Sequence, residues 1–115
     1  MANTFKVATK AGVTSEDVSY TVASSTTTVV LGVMLGNTTT SQVTATVTLS
    51  SDTSNRAGAN NEANQDVELV TNAPIPAGSS LELLSGNKVV METTDVLKLT
   101  ASGATDIAIS IMEIT

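Results

Sequence analysis

Apolar and polar residues alternate along much of this chain with a period of two, the repeat of strands that bury one face. The clearest run is 42–50, where Val43, Ala45, Val47 and Leu49 share one side and Thr44, Thr46 and Thr48 the other. Related patterns predict about eight short strands: Val18–Val22, Thr28–Gly36, Gln42–Ser50, Val67–Thr71, Leu81–Leu84, Lys88–Met91, Val96–Ala101 and Asp106–Ile114. No stretch carries the 3.6-residue repeat of an amphipathic helix. Many short strands punctuated by turn residues predict an all-β domain, a single β-sandwich of jelly-roll or immunoglobulin-like type. Antibody-type domains are built around a Cys-Trp-Cys core. This chain has no Cys and no Trp, which favours a jelly roll or a cysteine-free variant.

The segments between strands have their own chemistry. Ser85-Gly86-Asn87-Lys88 lies between two apolar runs, and Gly-Asn accepts positive φ, so a tight hairpin is expected there. Pro74-Ile75-Pro76-Ala77-Gly78 should link two strands without entering a central ladder, because proline has no N–H to give. Glu92–Asp95 and Ser102–Ala104 read as further turns. Residues 1–17 read as a polar N-terminal arm carrying Phe5 and Val7, ahead of a sandwich spanning 18–115. Ser50–Asp66 is a polar loop longer than a hairpin needs. The expected core draws on Val18, Tyr20, Val29, Leu31, Val33, Leu35, Val43, Val47, Leu97, Leu99, Ile107, Ile109 and Ile111, among others.

Composition narrows the function more than it names it. The 115 residues suit one domain, and 41% hydrophobic content is enough for a packed core. Only 14% are charged, against about 25% in ordinary soluble domains, so the Thr- and Ser-rich surface suits contact with other protein. The net charge is −6, and the five basic residues are scattered, with Phe5 and Tyr20 the sole aromatics. Nucleic acid needs a basic stripe and stacking platforms, so it is not an expected partner. The longest apolar stretch, Val29–Leu35, is far short of the roughly 20 residues of a membrane helix, and the start of the chain lacks a signal-type apolar run.

Histidine and cysteine are both absent, which removes the commonest general base, the Ser-His-Asp arrangement, thiolate chemistry and His-ligated metals. No phosphate-binding or dinucleotide-binding glycine motif occurs. The acids Glu82, Glu92 and Asp95 lack the aromatic platforms that sugar cleavage uses, and they read as solvated carboxylates. Asp52, Asn55, Asn60, Glu62 and Asp66 offer oxygen ligands, but their spacing matches neither the EF-hand loop nor the glycine-aspartate nonapeptide, and a flexible polar loop explains them as well. The expectation is a non-enzyme without cofactor or metal.

What remains is surface. Thr28–Leu35 is apolar on both sides. If Val29, Leu31, Val33 and Leu35 point inward, Val30 and Met34 point outward and form a candidate interface. At the C-terminus Met112 and Ile114 fall on the face opposite Ile107, Ile109 and Ile111. Arg56, the single arginine, is a candidate anchor for a neighbour's carboxylate. Phe5 sits on an arm able to add to a neighbouring sheet.

Several segments carry a family likeness. Met-Ala-Asn-Thr-Phe-Lys at the start, Tyr20-Thr21-Val22, Thr26–Val30, Ala73–Leu81, Asp95–Ser102 and Met112–Thr115 resemble small virion structural proteins of tailed phages, particularly marine and cyanobacterial ones. The likeness covers nearly the whole chain. It implies a non-enzymatic particle protein present in many symmetric copies, either decorating the capsid or sitting in the neck or tail. Its partners would be other virion proteins and further copies of itself, and its place the virion after synthesis in the host cytoplasm. Family members carry Pro after the first strand where this chain has Ala23-Ser24-Ser25, so a looser turn is expected. The competing expectation is a host-surface or glycan-binding module of a tail fibre, which would need exposed aromatics or a metal.

Overall fold

The computed structural model describes residues 2–51, 65–84 and 87–115. Nine strands follow in chain order: β1 (Asn3–Val13), β2 (Glu16–Thr21), β3 (Thr27–Asn37), β4 (Val43–Ser51), β5 (Gln65–Ile75), β6 (Ser80–Leu83), β7 (Val89–Met91), β8 (Val96–Ala101) and β9 (Thr105–Ile114). All pairings are antiparallel, and no helix occurs among the described residues.

One sheet has the order β1-β9-β3, with β6 and β7 both on the far side of β3. The other runs β2-β8-β4-β5. β6 and β7 lie end to end along the same neighbour: Gly36–Val33 pairs with Ser80–Leu83, and Val30–Thr28 with Val89–Met91. They act as two pieces of one strand position, β6 ending at Leu83 and β7 beginning at Val89. Treated so, the chain is a long hairpin of four strand pairs, β1:β9, β2:β8, β3:β6/β7 and β4:β5, with successive pairs laid into alternate sheets. That connectivity is a jelly roll, as two interlocked Greek keys produce.

The tight hairpin expected around Ser85–Lys88 is therefore corrected. β6 and β7 do not pair with each other, although Ser85 and Gly86 themselves lie outside the described residues. The apolar run on each side satisfies β3 instead, and Leu84 takes a positive φ of 60° where the first half ends. The expected N-terminal arm is likewise an edge strand of the sandwich, with Asn3–Lys10 in unbroken register on β9. Gly12, at φ +67°, makes the bulge that follows, and its N–H donates to Asp106 Oδ1 at 2.8 Å. Beyond that bulge Val13 turns into the core at 5% exposure, and the chain crosses to the other sheet.

The core is the inner face of both sheets: Val30, Val33, Leu35, Met91, Ile107, Ile109 and Ile111 against Val43, Ala45, Val47, Ile75, Leu97, Leu99 and Ala101. Two bulges reassign residues that strict alternation would place otherwise. The register of β3 on β9 shifts between Val30 and Gly32, so Val33 and Leu35 are inward but so are Thr28 and Val30. Val29 and Leu31, expected in the core, are half-buried. A second bulge between Val18 and Tyr20 buries Ser19 and leaves Val18 exposed, reversing its expected place.

The linker expected over Pro74–Gly78 begins later than expected, because Pro74 and Ile75 are the last residues of β5. Pro74 pairs with Thr44 in β5, an edge strand, where a missing N–H can face away from the ladder. Asn37, at the end of β3, fixes the corner beyond it. Its Nδ2 donates to the carbonyls of Ser41 (2.8 Å) and Ile75 (2.9 Å), and its Oδ1 accepts the Thr39 N–H at 2.8 Å.

Candidate interaction surface

The two outer faces of the sandwich differ in kind. On the four-stranded sheet, one cross-strand row reads Glu16, Thr100, Thr46 across β2, β8 and β4. It is polar throughout, and Val18, exposed in the next row, stands opposite Lys98. On the five-stranded sheet, the register puts Phe5 opposite Met112, Met112 opposite Val29, and Val29 opposite Val90. Four apolar side chains thus form an unbroken row across β1, β9, β3 and β7. Cross-strand neighbours of this kind sit about 5 Å apart and contact one another.

The row is open to solvent at its ends, with Phe5 72% and Val90 61% exposed, while Val29 and Met112 between them are half-buried by their neighbours. Further along the same face Val7 and Met34 are exposed, and Ile114 is half-buried. Between the row and Met34 lie the small residues Ser110 and Gly32, with Ala108 opposite Met34 itself, and a Cβ built on Gly32 would meet nothing within 4 Å. A low strip of the sheet therefore runs beside an apolar ridge. Isolated exposed apolar residues are ordinary on proteins, but contiguous ones mark contact surfaces.

Of the six residues expected at an interface, Phe5, Met34, Met112 and Ile114 lie on this one outer face. Val30 does not. It is 1% exposed, and the bulge at Leu31 turns it inward, so the outward placement expected for it is corrected. Arg56 and most of the 50–66 loop lie outside the described residues. Sequence reasoning missed Val29 and Val90, the members that make the row continuous. Which residues face each other across β3 depends on the bulge and on β7 joining β3, and neither is visible in local alternation.

One polar assembly underlies the row. Tyr20 of β2 reaches across to the other sheet and donates its O–H to Glu113 Oε2 at 2.7 Å, while Thr28 Oγ1 lies 2.7 Å from the same phenol oxygen. With the phenol proton given to Glu113, Thr28 donates to Tyr20. Lys6 of β1 closes the chain with a 2.7 Å ion pair to Glu113 Oε1. Burial, with the carboxylate beside it, pushes the Tyr20 phenol up to about 12. Lys6 and the Tyr20 hydroxyl hold the Glu113 carboxyl below its ordinary range. These contacts clamp one sheet to the other.

Among the described residues, groups suited to bond-making do not converge. Glu82 is exposed on the outer face, and Asp95 Oδ2 accepts the Glu92 N–H at 2.9 Å within its turn. Among the described residues no three acidic side chains gather to hold a metal ion. A shallow, open depression at the β1–β2 turn is lined by residues Ala11 to Asp17, mostly through polar atoms, and lacks the enclosed apolar cleft of a small-molecule site. No described helix is long and apolar enough to cross a membrane.

The molecule is thus a jelly-roll domain whose two outer faces are unlike, one mainly polar and one with an apolar ridge. No protein-family model matches the chain, and no curated protein matches it. Among solved structures it is similar to a chain of Bacillus endospore appendages, described as a novel family of disulfide-linked pili. That likeness has a TM-score of 0.50 at 14% identity and covers 99% of this chain and 87% of the other. A chain of infectious bursal disease virus, Gx strain, aligns over 96% of this chain and 37% of its own length, with TM-score 0.46 and 10% identity. At these identities the appendage chain shows a shared fold.

Proposed function

We propose that this protein is a non-enzymatic building block of a larger particle, specifically a structural protein of a tailed-phage virion that decorates the capsid or sits in the neck or tail. The observation that carries the reading is the continuous row Phe5–Met112–Val29–Val90 on one outer face, set against the polar row Glu16–Thr100–Thr46 on the other. A solitary domain gains nothing from an apolar ridge in water. Buried against a neighbour, such surface contributes roughly 25 cal/mol per Å². Many copies on one particle turn modest single contacts into firm attachment.

The sequence likeness to phage virion proteins supports the particle, and the jelly roll supplies a rigid, two-faced block. The appendage protein of similar fold belongs to disulfide-linked pili, and this sequence has no cysteine, so apolar and backbone contacts would have to hold its copies together. A glycan-binding module is less well supported: Tyr20 is spent between the sheets, leaving Phe5 as the exposed aromatic. Immunogold labelling of particles purified from the producing culture tests the reading. Label at repeated positions on shell, neck or tail is expected. Label confined to particle-free fractions would overturn it.

A further inference from the structure

We infer that two copies of this chain join edge to edge through β1, as an antiparallel β1–β1 pair about a two-fold axis. The inference rests on the particle reading only in naming the partner that the assembly uses first.

The four sheet edges are not alike. β6 and β7 are separate pieces of four and three residues. β2 is six residues long and bulged between Val18 and Tyr20. β5 carries two register shifts, Asn72 at positive φ, and Pro74. Each has a device that discourages strand addition. β1 pairs with β9 alone among the described strands and keeps regular register from Asn3 to Lys10 with no proline and no bulge. It is the open edge.

The backbone defines what that edge offers. Ala2 and Thr115 exchange both hydrogen bonds, each at 2.9 Å, so Ala2 is a hydrogen-bonded partner of Thr115, just beyond β9. Antiparallel ladders alternate. Thr4, Lys6 and Ala8 therefore bond to β9, and Phe5, Val7 and Thr9 direct their N–H and C=O outward. A partner strand must present the same phase, which a second β1 does.

Charge selects the register. Setting Lys6 opposite Lys6, or Lys6 opposite Lys10, places like charges face to face, which is unfavourable. Setting Val7 opposite Val7 avoids both, and it overlaps more of the strand's regular stretch than Phe5 opposite Phe5, another register that keeps the lysines apart. Lys6 then faces Ala8 and Lys10 faces Thr4, while Phe5 faces Thr9 on the outer side. Lys6 is already paired with Glu113, and Lys10 stands 3.9 Å from Asp17, so each copy brings a largely compensated edge. Val7 of one copy meets Val7 of the other, with each Phe5 diagonal to the other copy's Val7, so an apolar cluster forms across the axis. A closed two-fold pair leaves no β1 edge free to propagate.

The test uses the full chain. Light scattering at increasing concentration should give a mass twice that of the protomer. Val7→Pro should return it to the monomer mass with the circular dichroism unchanged, since the Val7 N–H faces away from β9. Val7→Lys, which sets two lysines together at the axis, should do the same if proline perturbs folding. In a chain without cysteine, Val7→Cys should form a disulfide-linked dimer rapidly, because hydrogen-bonded partners sit about 5.5 Å apart at Cα, within disulfide reach. Val90→Cys, exposed at the opposite edge, should not. A monomer at all concentrations, a dimer that survives both Val7→Pro and Val7→Lys, or equal cross-linking of the two cysteine variants would overturn the inference. Mass and labelling of the native protein separate the two claims: a native chain that stays monomeric yet labels particles sinks this inference alone, and a native β1 dimer missing from particles sinks the particle reading alone.

Discussion

Tyr20 and Glu113 show how few polar atoms join the two sheets. The phenol is the chain's single tyrosine, so its titration can be followed without interference. Its folded pKa is about 12 against an ordinary value of 10.0, so folding favours the protonated phenol. Stability from this group is complete below pH 10 and declines as pH rises toward 12, because the unfolded chain ionises first. Denaturant midpoints measured across that window should fall for the native protein and fall less for Tyr20→Phe. At the acid end the sign reverses. Glu113 has a lowered pKa, so its contribution is present above the ordinary carboxylate range and is lost as pH falls through the folded value. Glu113→Gln, which weakens the pair with Lys6 and the bond from Tyr20, should cost about 1–2 kcal/mol at neutral pH and flatten the acid limb. Equal acid limbs in the native protein and the Glu113→Gln variant would contradict this assignment.

At the level of strands and their connections, Asn37 is the joint that most repays substitution. It is 4% exposed and supplies the corner carbonyls and an N–H with partners that no water can easily replace. Asn37→Ala should destabilise by about 3 kcal/mol through orphaned backbone groups, read as a lower denaturant midpoint with unchanged slope. Asn37→Asp should be comparably costly, since a carboxylate facing the Ile75 carbonyl replaces a donor by an acceptor. Such joints mark the limit of what alternation reveals. The strands from Thr28 to Ile114 were legible because valines, leucines and isoleucines recur every second residue, as in Val43–Leu49 and Ile107–Ile111. β1 was hidden because an edge strand exposed on both sides, as Asn3–Gly12 largely is, has no buried face to impose a pattern. Val18 and Val30 were misplaced because one inserted residue inverts every later side chain, and a bulge has no reliable local signature. The Gly-Asn pair at 86–87 had hairpin chemistry, but partner choice was decided by β3, distant in sequence and brought alongside only by the fold's long hairpin.

For the molecule as a whole, the apolar face and the net charge act in opposite senses, and their competition yields a measurable sign. Each copy carries −6, so copies repel over the Debye length, about 10 Å at 0.1 M salt and about 3 Å at 1 M. Association driven by the row Phe5–Met112–Val29–Val90 should therefore strengthen as sodium chloride is added, and strengthen further in sulfate, which favours apolar burial. A contact made of opposite charges would do the reverse. Phe5→Ser combined with Val90→Thr removes the two most exposed members of the row at sites that contribute little to the protomer core. Melting should shift by no more than about 0.5 kcal/mol equivalent, as surface changes usually do, while sedimentation of salt-induced assemblies and labelling of particles should both be lost. Thr46→Ser with Thr100→Ser on the polar face is the matched control and should leave assembly intact. If salt dissolves the assemblies instead, or if the polar-face pair disrupts them as much as the apolar-face pair, the surface that joins copies is not the outer face of the five-stranded sheet.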